Sequence, residues 1–528
     1  MTKCSKISKT ILIGLFIGAL SACEATEDPS VYAGTDQSIN EGTSVSLSAT
    51  VTDIVVASIE WTQISGTTVQ LSNSTAQAPT FTAPSILTDE TLVFQVTVTD
   101  EFDETVSDTV SINVVAYAAQ QATETSAWLM NSTATSTFIK GSDGDVLENI
   151  ESVEAVTITD EDDNAVQYSH VKTSGIPNYD ITMTQDIIDQ LNARPKALTD
   201  FVDGQTSVQV GDTISFGADM GYNSSTENCN DTGGDGYWPP GPGCPTEQSV
   251  DAYFTLSPEA LSSTDDTCET GLGTVGLLVN GAALFNWGDG QSYGDDLWYN
   301  LAPVAEQYDV DICAGHAANG EYHHHFYTSC LADTLEDDGT AHSPIYGYAA
   351  DGFALYGPYE YATQLALTGW QARDYSAPIS EGGCNTQDER SCVLVDQYDI
   401  SKGVTDAVNG PDIGDPVTTL SGNVLPAADG FYFEDYYYTQ AAVSGPQLDE
   451  HNGHDTNDGK GYHYHITLTK DADGNLSPAF PYQIGPRFKG SLPDNSVGRC
   501  STSDGGLPPR LGLPPKRGLP PKLGLAPK

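Results

Sequence analysis

Alternating hydrophobic and polar residues dominate the N-terminal part of the chain. Between Val31 and Val115, runs such as Val45–Val51 and Val93–Val98 place Val, Leu, Ala or Phe at every second position, with Ser, Thr or Gln between them. Side chains of an extended strand point alternately to the two faces of a sheet, so these runs predict half-buried strands. Turn residues separate the runs at short intervals, which favours an immunoglobulin-like β-sandwich over 31–115.

The pattern changes after residue 115. A polar stretch rich in Thr, Ser and Gln predicts a linker over 116–140. Residues 141–490 are rich in Gly and aromatic residues and contain short strand-like runs, so we expect one larger, mostly β, loop-rich domain there. Only Thr184–Arg194 has the apolar spacing of a helix. A Pro-rich repeat with basic residues predicts a disordered tail over 491–528.

The N-terminus has the features of a lipoprotein signal peptide. Three lysines precede an apolar run, Ile11–Leu20, that is too short for a transmembrane helix. The four residues that end at Cys23, L-S-A-C, resemble a bacterial lipobox. We therefore expect a signal peptide over 1–22, lipidation of Cys23 and a short tether over 23–30. Glu24, rather than Asp, follows the cysteine, and this favours the outer membrane of a Gram-negative bacterium.

The charge of the chain excludes some partners. With 73 acidic and 20 basic residues, the formal net charge is −53 at pH 7. Such a surface repels nucleic acid and anionic lipid head groups. We therefore expect no nucleic-acid partner and membrane contact through the lipid anchor alone.

The cysteine count predicts a disulfide-stapled domain. Of the ten cysteines, Cys4 leaves with the signal peptide and Cys23 takes the lipid, which leaves an even number. An even number of cysteines in an oxidising compartment indicates disulfides. The pairs nearest in sequence are Cys229/Cys244, Cys313/Cys330 and Cys384/Cys392.

Two stretches of the chain repeat one histidine pattern. Residues 311–325 and 449–465 both fit D-x-[C/H]-x-G-H, a Gly-containing turn, and then Y-H-[H/Y]-H. Alternate residues of a strand share a face, so the last two histidines of each motif point the same way. Imidazole is a good ligand for zinc and copper. We hypothesise that both motifs converge on one transition-metal site, copper or zinc, with the ligands His316, His323, His325, His454, His463 and His465.

Other residues have candidate roles around this site. Asp311, Asp449 and Asp351 are predicted to orient imidazole N–H groups from the second shell, although Asp351 fits equally well as a turn cap. His342 is an outlying candidate ligand, and His170 lacks a partner motif and is interpreted as structural. A single Y-H-x-H is also typical of a half-buried strand with packed histidines, and the repetition favours the metal site.

Longer motifs give the chain a family resemblance. The sequences H-S-P-I-Y-G-Y-A-A-D-G-F-A-L-Y-G-P-Y at 342–359, L-D-E-H-N-G-H at 448–454 and G-Y-H-Y-H-I-T at 461–467 resemble the YHYH-domain family of secreted bacterial proteins. The resemblance covers most of 150–490 and implies an architecture without a specific activity. The sequences A-G-T-D-Q-S-I-N-E-G and W-T-Q-I-S-G of the N-terminal region resemble PKD domains, which implies a spacer or adhesion module.

The chain departs from the YHYH pattern at His451. Similar proteins tend to have Cys at this position and a second Cys near Pro486–Phe488, where this chain reads P-R-F. The resemblance therefore implies the loss of one disulfide. His451 also stands where the first motif has Cys313, so two interpretations stay open: a replaced cysteine or an additional metal ligand.

These features predict a lipid-anchored cell-surface protein whose paired histidine motifs bind a transition metal. One alternative is an extracytoplasmic metalloenzyme, an oxidase or hydrolase, that uses the same site. Another is an adhesion or glycan-binding protein with a cell-surface partner and structural histidines. Calcium is a further candidate cofactor, because residues 142–145, 159–164 and 471–475 are acidic, although none completes an EF-hand.

Overall fold

The chain divides into two compact units. The computed structural model describes residues 29–40, 44–84, 90–115, 127–130, 148–159, 165–218, 220–221, 245–262, 267–294, 296–440, 447–456, 460–493 and 495–500. Unit 1 includes Ser44–Pro84 and Glu90–Val114, and unit 2 includes Val115–Lys528. The predicted signal peptide, Cys23 and the pair Cys229/Cys244 lie outside the described residues. Within these ranges, no helix has the length and apolar character needed to cross a membrane.

Unit 1 is built of strands alone among its described residues. Their bounds are β1 Ser30–Tyr32, β2 Gln37–Asn40, β3 Ser44–Ser46, β4 Thr50–Thr52, β5 Val56–Ser65, β6 Thr80–Thr82, β7 Glu90–Asp100 and β8 Thr105–Val115. A four-stranded sheet has the order β2-β8-β7-β5, and β1 pairs with β4 and β3 with β6. In β7, alternate residues from Leu92 to Val98 are buried, as the pattern predicts, and Trp61 of β5 is buried in the core. The predicted immunoglobulin-like β architecture of this region is confirmed.

Unit 2 is also mostly β. Its strands are β9 Ile150–Thr159, β10 Ala165–Thr173, β11 Asp180–Thr182, β12 Thr213–Ser215, β13 Val250–Thr255, β14 Thr274–Leu278, β15 Ala283–Phe285, β16 Gly288–Tyr293, β17 Trp298–Leu301, β18 Gly315–Ala318, β19 Glu321–His324, β20 Ile345–Ala349, β21 Ala354–Tyr356, β22 Tyr359–Tyr361, β23 Gln364–Leu365, β24 Trp370–Ala372, β25 Cys392–Leu394, β26 Val404–Asp406, β27 Pro416–Thr418, β28 Val424–Pro426, β29 Tyr436–Tyr438, β30 Gly453–His454, β31 His463–His465, β32 Leu468–Lys470 and β33 Leu476–Pro478.

Helices in the described part of unit 2 are short. They are α1 Gln185–Asn192, α2 Ala197–Asp200, α3 Ala302–Ala305 and α4 Ser329–Thr334, with 3-10 turns at Ile379–Glu381, Ile400–Lys402 and Phe433–Asp435. The helix predicted at Thr184–Arg194 is confirmed as α1. Thr184 caps α1, because its hydroxyl accepts a hydrogen bond from the Ile187 amide.

An eight-stranded sheet forms the centre of unit 2. Its order is β18-β19-β15-β14-β20-β21-β31-β30, so the two predicted histidine motifs occupy opposite ends. The two central strands, β14 and β20, pair antiparallel. On one side β15 pairs parallel with β19, and on the other β21 pairs parallel with β31. The two halves of the sheet therefore repeat the same arrangement outward from the β14–β20 pair.

The sequence carries a matching repeat, which the histidine motifs alone did not show. Each of Gly276, Asn280, Gly281, Ala283 and Leu284 has a counterpart 71 residues later, at Gly347, Asp351, Gly352, Ala354 and Leu355. The two central glycines are needed for close strand contact. A Cβ atom at Gly276 would lie 2.3 Å from the Tyr348 carbonyl oxygen, and one at Gly347 would lie 2.5 Å from that of Leu277. Unit 2 thus contains an internal duplication of four strands.

Two segments pack more closely than the sequence suggested. Trp128, inside the predicted linker of 116–140, is buried against Phe254 and Tyr348 of unit 2. The prediction that the tail is disordered from residue 491 is wrong for its described part, because Cys500 forms a disulfide with Cys268. The apolar side chains of this segment also pack against the core of unit 2. Residues 501–528 lie outside the described residues.

Candidate metal centres

The first histidine motif forms a buried cluster at one end of the eight-stranded sheet. His316 of β18 and His323 of β19 are cross-strand partners, and His325 follows β19. Their ring centroids lie 4.5 to 5.7 Å apart. All three rings are buried, with 1 to 4% of each residue exposed. We call these histidines, together with Glu306, site 1.

Glu306 completes site 1 from a different element. It follows α3, and its Oε2 atom lies 3.3 Å from Nε2 of both His316 and His325. Atoms that bind a zinc ion at about 2.0–2.1 Å from tetrahedral corners lie about 3.3 Å from one another. The two distances from Glu306 Oε2 therefore match edges of a metal tetrahedron.

The ring orientations in site 1 are fixed by backbone carbonyls. His323 Nδ1 lies 3.0 Å from the Glu321 carbonyl oxygen, and His325 Nδ1 lies 2.6 Å from that of Asn286. A carbonyl only accepts, so each Nδ1 carries the hydrogen and each Nε2 of a neutral ring presents a lone pair. These two Nε2 atoms face each other at 3.1 Å. Two lone pairs at this distance repel unless a proton or a cation lies between them.

The second histidine motif builds an equivalent cluster at the other end of the sheet. His454 of β30 pairs with His463 of β31, and His465 lies at the end of β31. Glu360 Oε2 lies 3.0 Å from His454 Nε2 and 3.3 Å from His465 Nε2. His463 and His465 direct Nδ1 to backbone carbonyls at 2.7 Å, as their counterparts in site 1 do. These three histidines and Glu360, together with His342, form site 2.

The prediction that both motifs converge on one metal is wrong. The described residues contain two separate groups of candidate ligands around these motifs, His316, His323 and His325 in one and His342, Glu360, His463 and His465 in the other. Within each group the donor atoms lie within 4.8 Å of one another. Four strands separate β19 from β31 in the sheet. Each motif pairs within its own half of the duplicated sheet, and this pairing keeps the two groups apart.

Buried polar atoms in both sites lack hydrogen-bond partners among the described residues. They are Oε2 of Glu306 and Glu360, both ring nitrogens of His316, and Nε2 of His342, His454, His463 and His465. A buried polar atom without a partner costs about 1–3 kcal/mol, so their concentration at two points requires an explanation. A metal ion bound by these atoms would satisfy them. The residues present therefore fit a transition metal at each site.

Burial and charge set the ionisation of site 1. Burial lowers the pKa of His323 and of His325 and keeps both rings neutral, the form that binds metals. Burial opposes the charged form of Glu306, but the adjacent His316 and His325 outweigh it and lower the pKa of this carboxyl. Burial raises the pKa of Asp289 to about 8, and the charge of Glu306 adds to this shift. The surroundings of site 1 are therefore rich in carboxyl groups.

Site 2 has the same electrostatic character. Burial lowers the pKa of His463 to about 2, and burial also lowers the pKa of His465 despite its contact with Glu360. Burial opposes ionisation of Glu360, but the adjacent His454 and His465 outweigh it and lower the pKa of this carboxyl. Site 2 therefore also combines neutral imidazoles with an ionised carboxylate.

The predicted second-shell aspartates have a different role. Asp311 accepts hydrogen bonds from the Cys313 and Gly315 amides and from the Tyr322 hydroxyl. Asp449 accepts equivalent hydrogen bonds in the second motif, from the His451 and Gly453 amides and from the Tyr462 hydroxyl. Asp351 accepts from the Tyr464 hydroxyl and the Gly490 amide. The prediction that these carboxylates orient the imidazoles is wrong for the rings described above, since backbone carbonyls hold their Nδ1 atoms.

The glycine of each G-H pair makes room for this network. A Cβ atom at Gly315 would lie 2.4 Å from the Tyr322 hydroxyl, and one at Gly453 would lie 2.4 Å from the Tyr462 hydroxyl. The tyrosine of Y-H-x-H therefore lies over the glycine and reaches the aspartate that opens the motif. The D…G-H…Y part of the pattern builds the scaffold, and the histidines of the pattern form the site on the other face of the strand.

Sequence reasoning missed the two carboxylates, Glu306 and Glu360. Glu360 occurs 71 residues after Asp289, so the internal repeat makes Asp289 its counterpart. In site 1, however, the carboxylate in contact with the histidines is Glu306. No fixed spacing relates Glu306 to Glu360, and only the three-dimensional structure identifies both.

The remaining histidines have other surroundings. His451 Nδ1 lies 3.0 Å from the Arg487 carbonyl oxygen, inside the segment where similar proteins tend to have the second cysteine. This contact supports the interpretation of a replaced cysteine, although His451 also forms a third group of candidate donors with Asp449 and Glu450. His324 Nε2 bonds to the Tyr179 hydroxyl at 2.9 Å in the core. His170 pairs with Asp251 and stacks on Tyr253.

The acidic stretches considered for calcium are only partly described. Residues 142–145 and 160–164 lie outside the described residues. In the exposed loop 471–475, Asp471 accepts hydrogen bonds from the Asp473 and Asn475 amides and from the Asn475 side chain. The Asp471 carboxylate thus stabilises its own loop.

Comparisons with known proteins identify both units. Residues 252–475 match the YHYH protein family, and residues 33–114 match a family of PKD domains. No curated protein matches the chain.

Solved structures resemble only a small part of the chain. The PKD domain from the KIAA 1837 protein is 25% identical, with 18% of this chain and 92% of that chain covered and a TM-score of 0.16. A 2,6-sialyltransferase from Photobacterium sp. is 25% identical over 16% of this chain and 18% of that chain, with a TM-score of 0.14. The family matches therefore show that the chain contains a YHYH domain over 252–475 and a PKD-like domain before it, over 33–114.

Proposed function

We propose that the protein binds two transition-metal ions, copper or zinc, one at site 1 and one at site 2. The observation that carries the proposal is the 3.1 Å contact between Nε2 of His323 and Nε2 of His325, whose Nδ1 atoms are held by backbone carbonyls. Both rings present lone pairs to one point, and Glu306 adds an anionic oxygen there. Site 2 repeats two of these features: backbone carbonyls hold Nδ1 of His463 and His465, and Glu360 places an anionic oxygen near Nε2 of His454 and His465.

The donor atoms favour a transition metal over calcium or magnesium. Calcium and magnesium prefer oxygen ligands, whereas imidazole nitrogen suits zinc and copper. Each site supplies at least three imidazoles and one carboxylate oxygen. The carboxylate offsets part of the charge of a divalent ion in a buried position.

Burial favours retention of the metal over catalytic turnover. The three histidines of site 1 are almost fully buried, and the side chain of Glu306 is 16% exposed. A catalytic zinc site keeps a position open to water or substrate. A site enclosed by four protein donors is typical of a structural or storage role, so metal binding is preferred here over an oxidase or hydrolase activity.

Metal content tests the proposal directly. The full chain, purified without chelators, should contain about two equivalents of copper and zinc together when measured by mass spectrometry of the elements. Removal of the metal should lower the thermal transition of unit 2, and re-addition of Zn²⁺ or Cu²⁺ should restore it. A ligand at 100 times its Kd stabilises the folded state by about 2.7 kcal/mol. A protein that contains no metal and shows no shift with either ion would contradict the proposal.

The lipid anchor is proposed separately, on the basis of the lipobox. Cys23→Ala should move the protein from the membrane pellet to the soluble fraction, because the lipid would be the main membrane contact of a chain with a net charge of −53. Cys4→Ala is the matched control, since Cys4 leaves with the signal peptide and its loss should not change fractionation. If the Cys23 variant stays in the membrane pellet, the anchor lies elsewhere.

A further inference from the structure

Site 2 contains one more imidazole than site 1. The donor nitrogen of His342 lies within 4.8 Å of the donor atoms of Glu360, His463 and His465. Its ring centroid is 5.7 Å from that of His463 and 5.2 Å from that of His465. His342 Nδ1 lies 2.8 Å from the Ser343 carbonyl oxygen, so Nε2 of the neutral ring carries the lone pair. That Nε2 is buried and has no hydrogen-bond partner among the described residues.

The fold holds His342 at this position. The next residue, Ser343, is buried, and its hydroxyl donates to Asp337 at 2.7 Å and accepts from the Tyr359 amide at 2.9 Å. The Ser343 amide in turn donates to the Tyr359 carbonyl oxygen at 2.8 Å. Tyr359 immediately precedes the carboxylate of site 2, Glu360. The backbone before β20 is therefore attached to the segment that supplies this carboxylate.

Close packing brings the same segment near His465. Gly357, whose carbonyl oxygen accepts from His465 Nδ1, lies so close that an added Cβ would be 2.8 Å from Cβ of Ser343. Only a glycine permits this approach. The positions of His342, Glu360 and His465 are thus fixed by one set of contacts.

Site 1 has no counterpart of His342. The repeat of 71 residues places Gly271 at the equivalent position, and glycine offers no side-chain donor. Among the described residues, the site 1 group contains three histidines, with Glu306 in contact with two of them. Site 1 therefore offers three imidazoles and one carboxylate. Site 2 offers three imidazoles, His342, His463 and His465, in one group with the carboxylate Glu360, and His454 adjoins this group with its Nε2 atom 3.0 Å from Glu360 Oε2.

We infer that the two sites select different metals, Zn²⁺ at site 1 and Cu²⁺ at site 2, with His342 as an imidazole ligand of the copper ion that has no counterpart in site 1. This inference rests on the proposed function. Zinc has no geometric preference from its d electrons and is usually four-coordinate and tetrahedral in closed sites. Copper(II) prefers tetragonal sites of nitrogen and oxygen donors, and His342, His463, His465 and Glu360 supply four such donors in one group.

The experiment uses the metal-free full chain with one equivalent each of Zn²⁺ and Cu²⁺. The wild-type protein should bind both ions and give an electron paramagnetic resonance spectrum of copper with at least three nitrogen ligands. His342→Ala should lower the affinity for Cu²⁺ at least tenfold, because loss of even an outer-shell partner costs 10–100-fold. The spectrum should change to that of fewer nitrogen ligands, while the bound zinc stays at one equivalent.

Control variants separate the outcomes. His342→Gln retains a side chain of similar length without the imidazole and should lose copper as His342→Ala does, with its circular dichroism unchanged. His170→Ala, at a histidine outside both sites, should bind both ions as the wild-type protein does. If the wild-type protein binds two ions and the His342 variants leave the copper spectrum and affinity unchanged, this inference is overturned and the proposed function stands. If the wild-type protein binds no metal, the proposed function itself is overturned.

Discussion

Replacement of His323 and His325 by alanine should remove one of two bound metal ions and leave the other. The two rings supply the facing Nε2 atoms of site 1, 3.1 Å apart, so the double variant keeps only His316 and Glu306 there. Site 2 lies at the other end of the eight-stranded sheet and keeps all of its donors. The measured metal content should fall from about two equivalents per chain to about one.

The matched experiment removes site 2 instead. His463→Ala with His465→Ala should also leave one equivalent, because site 1 is built from β18, β19 and Glu306 without any residue of β31. A variant with all four substitutions should bind neither ion. Loss of both ions from either double variant would show that the sites depend on each other, which two independent groups of ligands do not allow. His170→Ala should keep both ions.

Local alternation was the part of the site that the sequence could predict. His323 points to the same side as His325, which follows β19, and His463 points to the same side as His465 in β31, because the period of a strand is two residues. The repetition of the pattern indicated that both motifs carry histidines at equivalent positions, but it was interpreted as one shared cluster. Neither inference required knowledge of which strands pair.

Strand pairing was the part that the sequence could not predict. Convergence of the two motifs assumed that β19 and β31 are neighbours. The parallel partner of β19 is instead β15, and that of β31 is β21. Those partners belong to a repeat of 71 residues in which mainly small residues such as Gly276 and Gly347 are kept, so its signal is weak in one sequence.

The roles of the carboxylates also could not be predicted from the sequence. The Oε2 atoms of Glu306 and Glu360 contact equivalent histidines of the two sites. Glu306 follows α3, however, whereas Glu360 lies within β22, so the two residues do not have equivalent positions in the sequence. Asp311, Asp351 and Asp449 stand beside glycines and histidines in the sequence, yet their bonds to tyrosine hydroxyls stabilise the scaffold. Proximity in sequence therefore assigned the acidic residues to the wrong face of the strand.

The sequence predicted disulfides between cysteines that are near in the chain, but it did not predict the disulfide between distant cysteines. The pairs Cys313–Cys330 and Cys384–Cys392 were predicted because they are near in sequence, and both are confirmed. Cys268 and Cys500 are 232 residues apart, and the assignment of Cys500 to a disordered tail concealed their pairing. The segment before Cys500 lies against the duplicated sheet, where the Ser496 hydroxyl donates to the Ala350 carbonyl oxygen at 2.8 Å.

Removal of the Cys268–Cys500 disulfide should destabilise unit 2 more than removal of Cys384–Cys392. In the chain-entropy account, the stabilisation grows with the logarithm of the number of residues in the closed loop. It is about 5 kcal/mol for a loop of some 230 residues and about 2.5 kcal/mol for a loop of some 8 residues. Cys500 is exposed and Cys268 is half-buried, so serine replaces them with little loss of packing. Urea unfolding of Cys268→Ser/Cys500→Ser should show the larger decrease in the free energy of unfolding, with Cys384→Ser/Cys392→Ser as the matched comparison. An equal or smaller decrease would mean that the C-terminal segment contributes to unit 2 through its packing and hydrogen bonds, with no large gain from the closed loop.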